Sequence, residues 1–339
     1  MVIPLVEIAS ILCIISQSNP KGAAYAHSGN SFRGGVSPRF TRRPKGQSTV
    51  EYALIIAIIV LVVMIAGPWV SSAIRNQFNQ VTSTVDSGTD GDNFISAEEK
   101  AYREAMKTVV NKEARDWTLD EQKAAATDIA KNGTSSVVYA KAKAAMDAGT
   151  RWSIKLTNGK TLTYRIIGIN HDDLADGTGK AGLTFLTTNT ALDQQRMNAT
   201  NTNAGGWEKS ELRGRLNTGD LWALLPSELQ SKAKAVTKMT DNKGGGSTGT
   251  PSATTDKVFL VSSTEVYGDL DFDGTQYEYY QSKGVTKSNY SGVSSGVSYW
   301  TRSVNPRGTA YFCCVYGTGG WNNGIGALGD HNVCPAWCF

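Results

Sequence analysis

The chain predicts an α+β protein, and three observations carry that expectation. Residues 97–148 are rich in alanine and other helix formers and hold two helix-capping signals. From Arg151 onward the pattern changes to short β-branched and aromatic runs separated by turns. An uncharged run, Ala53–Val70, stands apart near the N-terminus. Four regions are expected: a basic N-terminal segment over 1–46, a long apolar helix over 47–85, a helical spacer over 86–149 and a globular head over 150–339.

Val2–Ile15 is mostly apolar, but it contains Glu7 and is too short to span a bilayer. Residues 20–35 are rich in glycine and serine. Two readings of 1–35 stand side by side: a genuine long leader, or a chain whose translation begins near Val36 from a non-ATG codon. Arg39, Arg42, Arg43 and Lys45 precede the apolar run, and only Arg75 closely follows it. The positive-inside rule then places the N-terminus in the cytoplasm and the bulk of the chain outside. Ala53–Val70 is 18 residues long, about the minimum for a membrane-crossing helix. Val70, Ala73, Ile74, Phe78, Val81 and Val85 continue a 3.6-residue period. A helix over 48–85 would be about 57 Å long at ~1.5 Å per residue, with Pro68 as a kink site. Glu51, at the mouth of the run, marks function, because charge is costly there. The plainer alternative is a single-pass anchor with an incidental Glu-Tyr pair. A removable secretory signal fits less well, since the run is long and no small-x-small site follows it.

Lys45-Gly46-Gln47, then Glu51-Tyr52, then the apolar run, resembles the processing and assembly signal of type IV prepilins, most closely the Flp (class IVb) pilins. The resemblance covers residues 39–85. It implies cleavage between Gly46 and Gln47 by a membrane prepilin peptidase, with 1–46 as the leader. It also implies that Glu51, fifth in the mature chain, and Tyr52 are assembly residues. The chain departs from that family in length: Flp pilins are short, whereas roughly 250 residues follow Val85.

Asp86–Asn93 (DSGTDGDN) breaks the helix. Ser96-x-x-Glu99 and Thr118-x-x-Glu121 are capping boxes that start two helices. Asn132-Gly133 ends the second, and a third is expected over Ser136–Asp147, stopping at Gly149. No ligand chemistry is visible here. Beyond it, Trp152–Leu156, the turn Asn158-Gly159 and Thr161–Ile169 form a hairpin signal. Further strands are expected at 183–187, 257–262, 299–303, 310–316 and 333–338, and helices at 209–216 and 221–229. Thr240–Thr255 reads as a flexible polar loop.

GGWEKSELRGRLN (205–217), DKVFLVSSTEV (256–266), YWTRS (299–303) and the closing VCPAWCF carry a second resemblance. Together they look like a family of uncharacterised bacterial surface-protein domains, associated with the C-type-lectin-like fold shared with formylglycine-generating enzymes. It covers about 150–339. Trp207, Arg213, Trp300 and Arg302 are its signature positions. A structural role is expected for them, with tryptophan as core mass and arginine paired to a buried carboxylate or to backbone. The same likeness raises an oxidase reading in which Cys334 and Cys338 form a redox or copper-binding pair, although fold alone does not license it.

The chain carries 34 Lys+Arg against 30 Asp+Glu. Residues 1–46 hold six of the bases and one acid, so 28 bases and 29 acids follow Gly46. A nucleic-acid partner has no electrostatic support. Cys13 lies in the leader, and Cys313, Cys314, Cys334 and Cys338 crowd the last 27 residues. On an exported domain they read as two disulfides joining Cys313 and Cys314 to Cys334 and Cys338. Their spacing does not suit structural zinc. His27, His171 and His331 form no assignable catalytic set. Asp269, Asp271 and Asp273 precede Gly274 in the pattern that opens an EF-hand-type loop, with the Thr275 carbonyl as a further ligand. Position 12 is Tyr280 rather than an acid. A second candidate runs from Gly88 through Asp90, Asp92 and Asn93 to Glu99. Calcium is therefore the candidate cofactor.

The expected function is that of a minor or specialised type IV (Flp/Tad-like) pilus subunit, not an enzyme. It would sit in the cytoplasmic membrane before assembly and then display the head on the pilus or cell surface, with adhesion as its role. Its partners would be the prepilin peptidase, other pilins, the assembly machinery, the membrane and an extracellular ligand. The alternative is a membrane-anchored receptor that never polymerises, and the oxidase reading is third.

Overall fold

The computed structural model describes residues 95–270, 273–293 and 296–339. Three helices come first: α1 (Ala97–Val109), α2 (Leu119–Asn132) and α3 (Tyr139–Ala148). Ser96 Oγ caps α1 by accepting from the Glu99 amide at 3.1 Å. Thr118 and Glu121 make a full reciprocal capping box at α2, which removes two of the orphan amides a helix start leaves. Gly149, left-handed at φ 64°, ends α3, a conformation glycine adopts without steric cost.

Two five-stranded sheets follow. The first has the order β1 (Trp152–Lys155), β2 (Thr161–Ile169), β3 (Leu183–Thr187), β12 (Ala336–Cys338), β7 (Val258–Phe259). All its pairings are antiparallel, with a bulge in β2 between Ile166 and Gly168. The second runs β10 (Trp321–Gly326), β9 (Tyr311–Val315), β8 (Tyr299–Val304), β11 (His331–Asn332), β4 (Gln194–Gln195). There β11 lies parallel to β8 and antiparallel to β4. A separate ribbon pairs β5 (Val236–Thr240) with β6 (Ser252–Asp256). Six short helices fill the connections: α4 (Gly206–Lys209), α5 (Glu211–Asn217), α6 (Asp220–Leu224), α7 (Ser227–Lys232), α8 (Ser263–Tyr267) and α9 (Glu278–Gln281).

The core of the first sheet is aromatic. Tyr164 lies 4.9 Å from Trp337 and 5.6 Å from Phe185, centroid to centroid, and Phe185 lies 5.1 Å from Phe339. Edge-to-face and tilted pairings of this kind are what the ring quadrupole favours. Strands β3 and β8 are buried along their whole length; β3 reads as a continuous run of leucine, phenylalanine and threonine rather than an alternating one, and β8 carries one buried charge, Arg302.

The architecture expected from sequence, a membrane-spanning pilin helix, a separate helical spacer and a C-type-lectin-like head, needs correction. Residues 47–85 lie outside the described residues, and among the described residues no helix is long and apolar enough to cross a membrane. The helices of 97–148 are not a spacer. Trp152 Nε1 donates to the Ala114 carbonyl at 3.1 Å, and Tyr164 Oη donates to Gln122 Oε1 at 3.1 Å. Ile129, Ala125, Ala126, Ala142 and Met146 are buried in the same core as the sheet. The Thr118–Glu121 capping box and the Gly149 stop are legible in sequence; at α1 only the Ser96 half of the expected box forms, since Glu99 pairs with Arg103, and α3 starts at Tyr139 rather than Ser136. Which face the alanines bury against is not legible, because small residues match solvent and close packing equally well. What stands is the α+β class.

Thr240–Thr255, expected as a flexible loop, holds strand β6, paired residue for residue with β5. The strands at 161–169 and 183–187 form with the expected bounds. The run 257–262 shortens to two paired residues because Leu260–Ser262 turns toward α8.

Gly182 marks the tightest approach of helix to sheet. A Cβ there would meet the Ala126 carbonyl oxygen at 1.8 Å. Gly182→Ala is expected to destabilise the fold by about 1–3 kcal/mol through overpacking. Gly214→Ala, in open space within α5, is expected to be neutral or stabilising. Urea unfolding of the two variants measures the difference; equal midpoints would mean that α2 does not seat on β3.

Candidate functional site

The interior holds a chain of alternating charges. Asp172, between β2 and β3, accepts from Lys238 Nζ of β5 at 2.6 Å. Lys238 Nζ also lies 2.6 Å from Glu265 Oε1 of α8. Arg302 of β8 forks onto the same glutamate, Nη2 reaching Oε1 at 2.9 Å and Nη1 pairing with Oε2. All four are buried. Their donors are fully used. Lys238 spends its three on Asp172, Glu265 and the Tyr277 hydroxyl. Arg302 directs its other three to Thr240 Oγ1, the Leu260 carbonyl and the Met239 carbonyl. Thr184 Oγ1 and Tyr277 Oη donate to Asp172. The ammonium of Lys238 also sits 4.5 Å above the Phe259 ring.

Burial opposes every charge in this chain, and the partners outweigh it. The Lys238 and Arg302 charges hold Glu265 below the usual carboxylate range. Lys238 does the same for Asp172. Lys238 in turn is raised by Asp172 and Glu265. Sequence reasoning singles out Arg302 and misses Lys238, Asp172, Glu265 and Tyr277. Two signals were present: Ser262-x-x-Glu265 is a capping box, complete in the structure, and Lys238 occupies the buried phase of β5 beside Val236 and Thr240.

Asp273 adjoins the chain. Its Oδ2 accepts from Ser303 Oγ at 3.1 Å and its Oδ1 accepts from the Asp241 amide. Desolvation raises its pKa. This corrects the calcium expectation: the Asp273 carboxylate is turned inward and both oxygens are engaged. Asp269 Oδ1 accepts from the Lys287 amide at 2.9 Å, and Thr275 Oγ1 lies 3.4 Å from His171 Nε2. Asp271 lies outside the described residues, as do Gly88 through Asn93 of the second candidate loop. Among the described residues, no group of three or more His, Cys, Asp or Glu is placed to hold a metal ion.

The disulfide expectation is corrected too. Cys313, Cys314, Cys334 and Cys338 are four free, buried thiols. Cys313 and Cys314 lie on β9 of the second sheet and Cys338 on β12 of the first. Burial pushes Cys313, Cys314 and Cys334 up to about 12. Cys338, 3.5 Å from Asp172 Oδ2, is raised further by that carboxylate. Burial of this kind keeps a thiol protonated and lowers its reactivity, which gives the expected redox pair of Cys334 and Cys338 no support.

The other signature residues are anchors. Trp207 Nε1 donates to Asp256 Oδ2 at 3.0 Å, and Arg213 Nε donates to Asp256 Oδ1 at 2.6 Å. Trp300 Nε1 donates to the Gln195 carbonyl at 2.7 Å and tethers β4 to the sheet. Gly46, Gln47, Glu51 and Tyr52 lie outside the described residues. At the β4 edge an open, polar cleft of about 590 Å³ is lined by Gln195, Arg196, Glu211, Arg215, Leu328 and Asp330. Arg215 is already committed to Asp220, at 2.7 Å.

Residues 181–339 match a family described as a domain of unknown function, DUF6273. The match spans both sheets from β3 onward and contains Lys238, Glu265 and Arg302, while Asp172 precedes it. No characterised protein and no solved structure matches the chain.

Two expectations follow. Glu265→Gln strips the shared anion from Lys238 and Arg302 while keeping its volume. Leaving Arg302 without its paired carboxylate, and Lys238 with Asp172 alone, should cost roughly 3–5 kcal/mol in urea unfolding. A loss below about 1 kcal/mol would mean that the interior relaxes around the charges. His171, tilted against Tyr277 at 4.1 Å, pairs through Nδ1 with Glu278 at 3.1 Å. Burial opposes its charge, but the Glu278 bond and the Asp172 charge outweigh burial and raise its pKa. The stabilisation is therefore complete below the unfolded value of ~6.5 and fades as pH rises through the folded value. The difference in melting temperature between wild type and His171→Gln should be largest in mild acid and shrink toward alkaline pH. A pH-independent difference would refute the ion pair.

Proposed function

We propose that the chain is a type IV pilin-like surface subunit, processed after Gly46, that displays its α+β domain outside the cell for binding. One observation carries the reading. A basic cluster, Gly46, the Glu51-Tyr52 pair and the uncharged run Ala53–Val70 occur in that order and at prepilin spacing. The basic cluster holds Gly46 at the cytoplasmic edge. After the cut, the run retains the subunit in the membrane. On assembly the Glu51 carboxylate pairs with the Gln47 amine of a neighbouring subunit.

The described domain supports a binding role over a catalytic one. Its cysteines are buried and protonated, and its interior charges are mutually neutralised. His171 is packed against Tyr277 and Glu278. His331 is edge-on to Trp300 at 5.0 Å. No nucleophile, base and orienting group converge among these residues.

Mass spectrometry of the chain made in cells with an active prepilin peptidase should find Gln47 at the mature N-terminus, with the free amine or its methylated form. An intact leader in those cells would overturn the reading.

A further inference from the structure

Among the described residues, six large apolar side chains are exposed: Val137, Met239, Tyr290, Tyr311, Tyr316 and Leu328. Two of the three tyrosines gather on one turn. Strand β9 ends at Val315 and β10 begins at Trp321, and Tyr316–Gly320 joins them. The turn is closed by the Tyr316 amide donating to the Gly320 carbonyl and the Gly319 amide donating to the Tyr316 carbonyl, both at 2.8 Å. Gly319, at φ 94°, holds the left-handed corner. From beneath, the buried Tyr267 hydroxyl donates to the Gly319 carbonyl at 2.6 Å. The turn is thus tied to the core.

The two rings have near neighbours on this turn. Tyr290 covers Gly320: a Cβ on that glycine would lie 3.6 Å from Tyr290 Cζ. The Asn322 side-chain amide donates to the Tyr316 hydroxyl, and its Oδ1 accepts from the Gly324 amide at 2.7 Å. Trp321 lies beside them with Lys287 Nζ 5.6 Å from its ring. Tyr290 and Tyr316 remain 38% and 42% exposed. Neighbours this close restrict the rings before any ligand arrives, which lowers the entropy cost of contact.

The surrounding chemistry selects the occupant. Residues 308–329 contain no charged side chain, and the turn and the start of β10 carry Thr318, Asn322, Asn323 and four glycines, at 317, 319, 320 and 324. An anionic ligand finds no cationic cluster in the hairpin. Residues 316–324 hold no aliphatic side chain and no arginine to anchor a protein partner. Flat aromatic faces rimmed by hydroxyls and amides suit a pyranose ring, whose C–H face is apolar and whose edge is polar. We propose that the turn Tyr316–Trp321, with Tyr290 beside it, is a stacking platform for an uncharged polysaccharide. This rests on reading the chain as a displayed binding subunit and names the class of its ligand.

The full-length chain in detergent micelles is to be passed over immobilised cellulose, chitin, mannan and galactan, with affinity measured on matching soluble oligosaccharides. Retention on at least one is expected. Tyr316→Ala and Tyr290→Ala should each weaken it by about tenfold or more, with melting temperatures close to wild type. Tyr316→Phe, which keeps the ring and loses only the hydroxyl, should stay within about threefold. Tyr311→Ala, at the other end of β9 and equally exposed, should bind as wild type does. No retention on any of the four, or retention untouched by Tyr316→Ala and Tyr290→Ala, overturns the platform. The processing reading fails separately: Gln47 at the N-terminus without sugar binding sinks only the platform. Sugar binding by a chain with an intact leader sinks only the processing.

Discussion

The described fold depends on Glu265. Its carboxylate accepts from the Ser262 amide and so completes the cap of α8. The same two oxygens bind Arg302 of β8 and Lys238 of β5. Through Lys238 the chain reaches Asp172 and Tyr277. Five segments from different parts of the sequence are thereby fixed by one alternating series of charges. Such a series is weak evidence for net stability, because desolvating four ions is expensive and a well-packed apolar substitute can do as well. Its effect is on uniqueness. Lys238 and Arg302 use every donor they have, so any arrangement that displaces one segment leaves a buried cation short of a partner.

That requirement explains several features that otherwise look accidental. The ribbon β5–β6 crosses a stretch whose composition reads as loop, GGGSTGTPSATT, yet it is ordered where Lys238 and Thr240 face inward. Cys338 is kept as a thiol first by burial and then by the neighbouring Asp172 carboxylate, already engaged by Lys238. Asp273 is drawn inside by Ser303 and the Asp241 amide. An acidic turn that looks like a cation loop in one dimension is in part the rim of the ionic core in three.

Legibility in the sequence followed the range of the interaction. Local signals read correctly: the Thr118–Glu121 capping box, the Gly149 stop, and the strands at 161–169 and 183–187 are set by residues a few positions apart. Contacts between distant residues did not. Arg302 was visible as an arginine needing a partner, but Glu265 is 37 residues away and Lys238 reaches Asp172 across 66. Nothing in spacing selects these acids among 30. The helices of 97–148 gave a correct secondary structure and a wrong role for the same reason. Their alanines carry no mark of whether they meet water or, as at Ala126, the backbone of a sheet. For the cysteines, clustering in sequence does not imply proximity of sulfurs: Cys313 and Cys314 belong to one sheet and Cys338 to the other.

The distribution of charge divides the domain into a frame and a face. The frame concentrates its ions inside, where they lock β5, α8 and β8 together and are unavailable to a partner. The hairpin β9–β10 does the opposite. Its stem buries Phe312, Cys313 and Cys314, while its turn carries aromatic rings and amides without a formal charge. The two regions are physically joined, since Tyr267, whose hydroxyl holds Gly319, is the last residue of the helix that Glu265 caps. A loop held this way can keep its rings oriented without a long regular element of its own, which is how rigid scaffolds present binding residues. The ionic core therefore acts on the turn at one remove: the helix that it fixes sets the position of the turn.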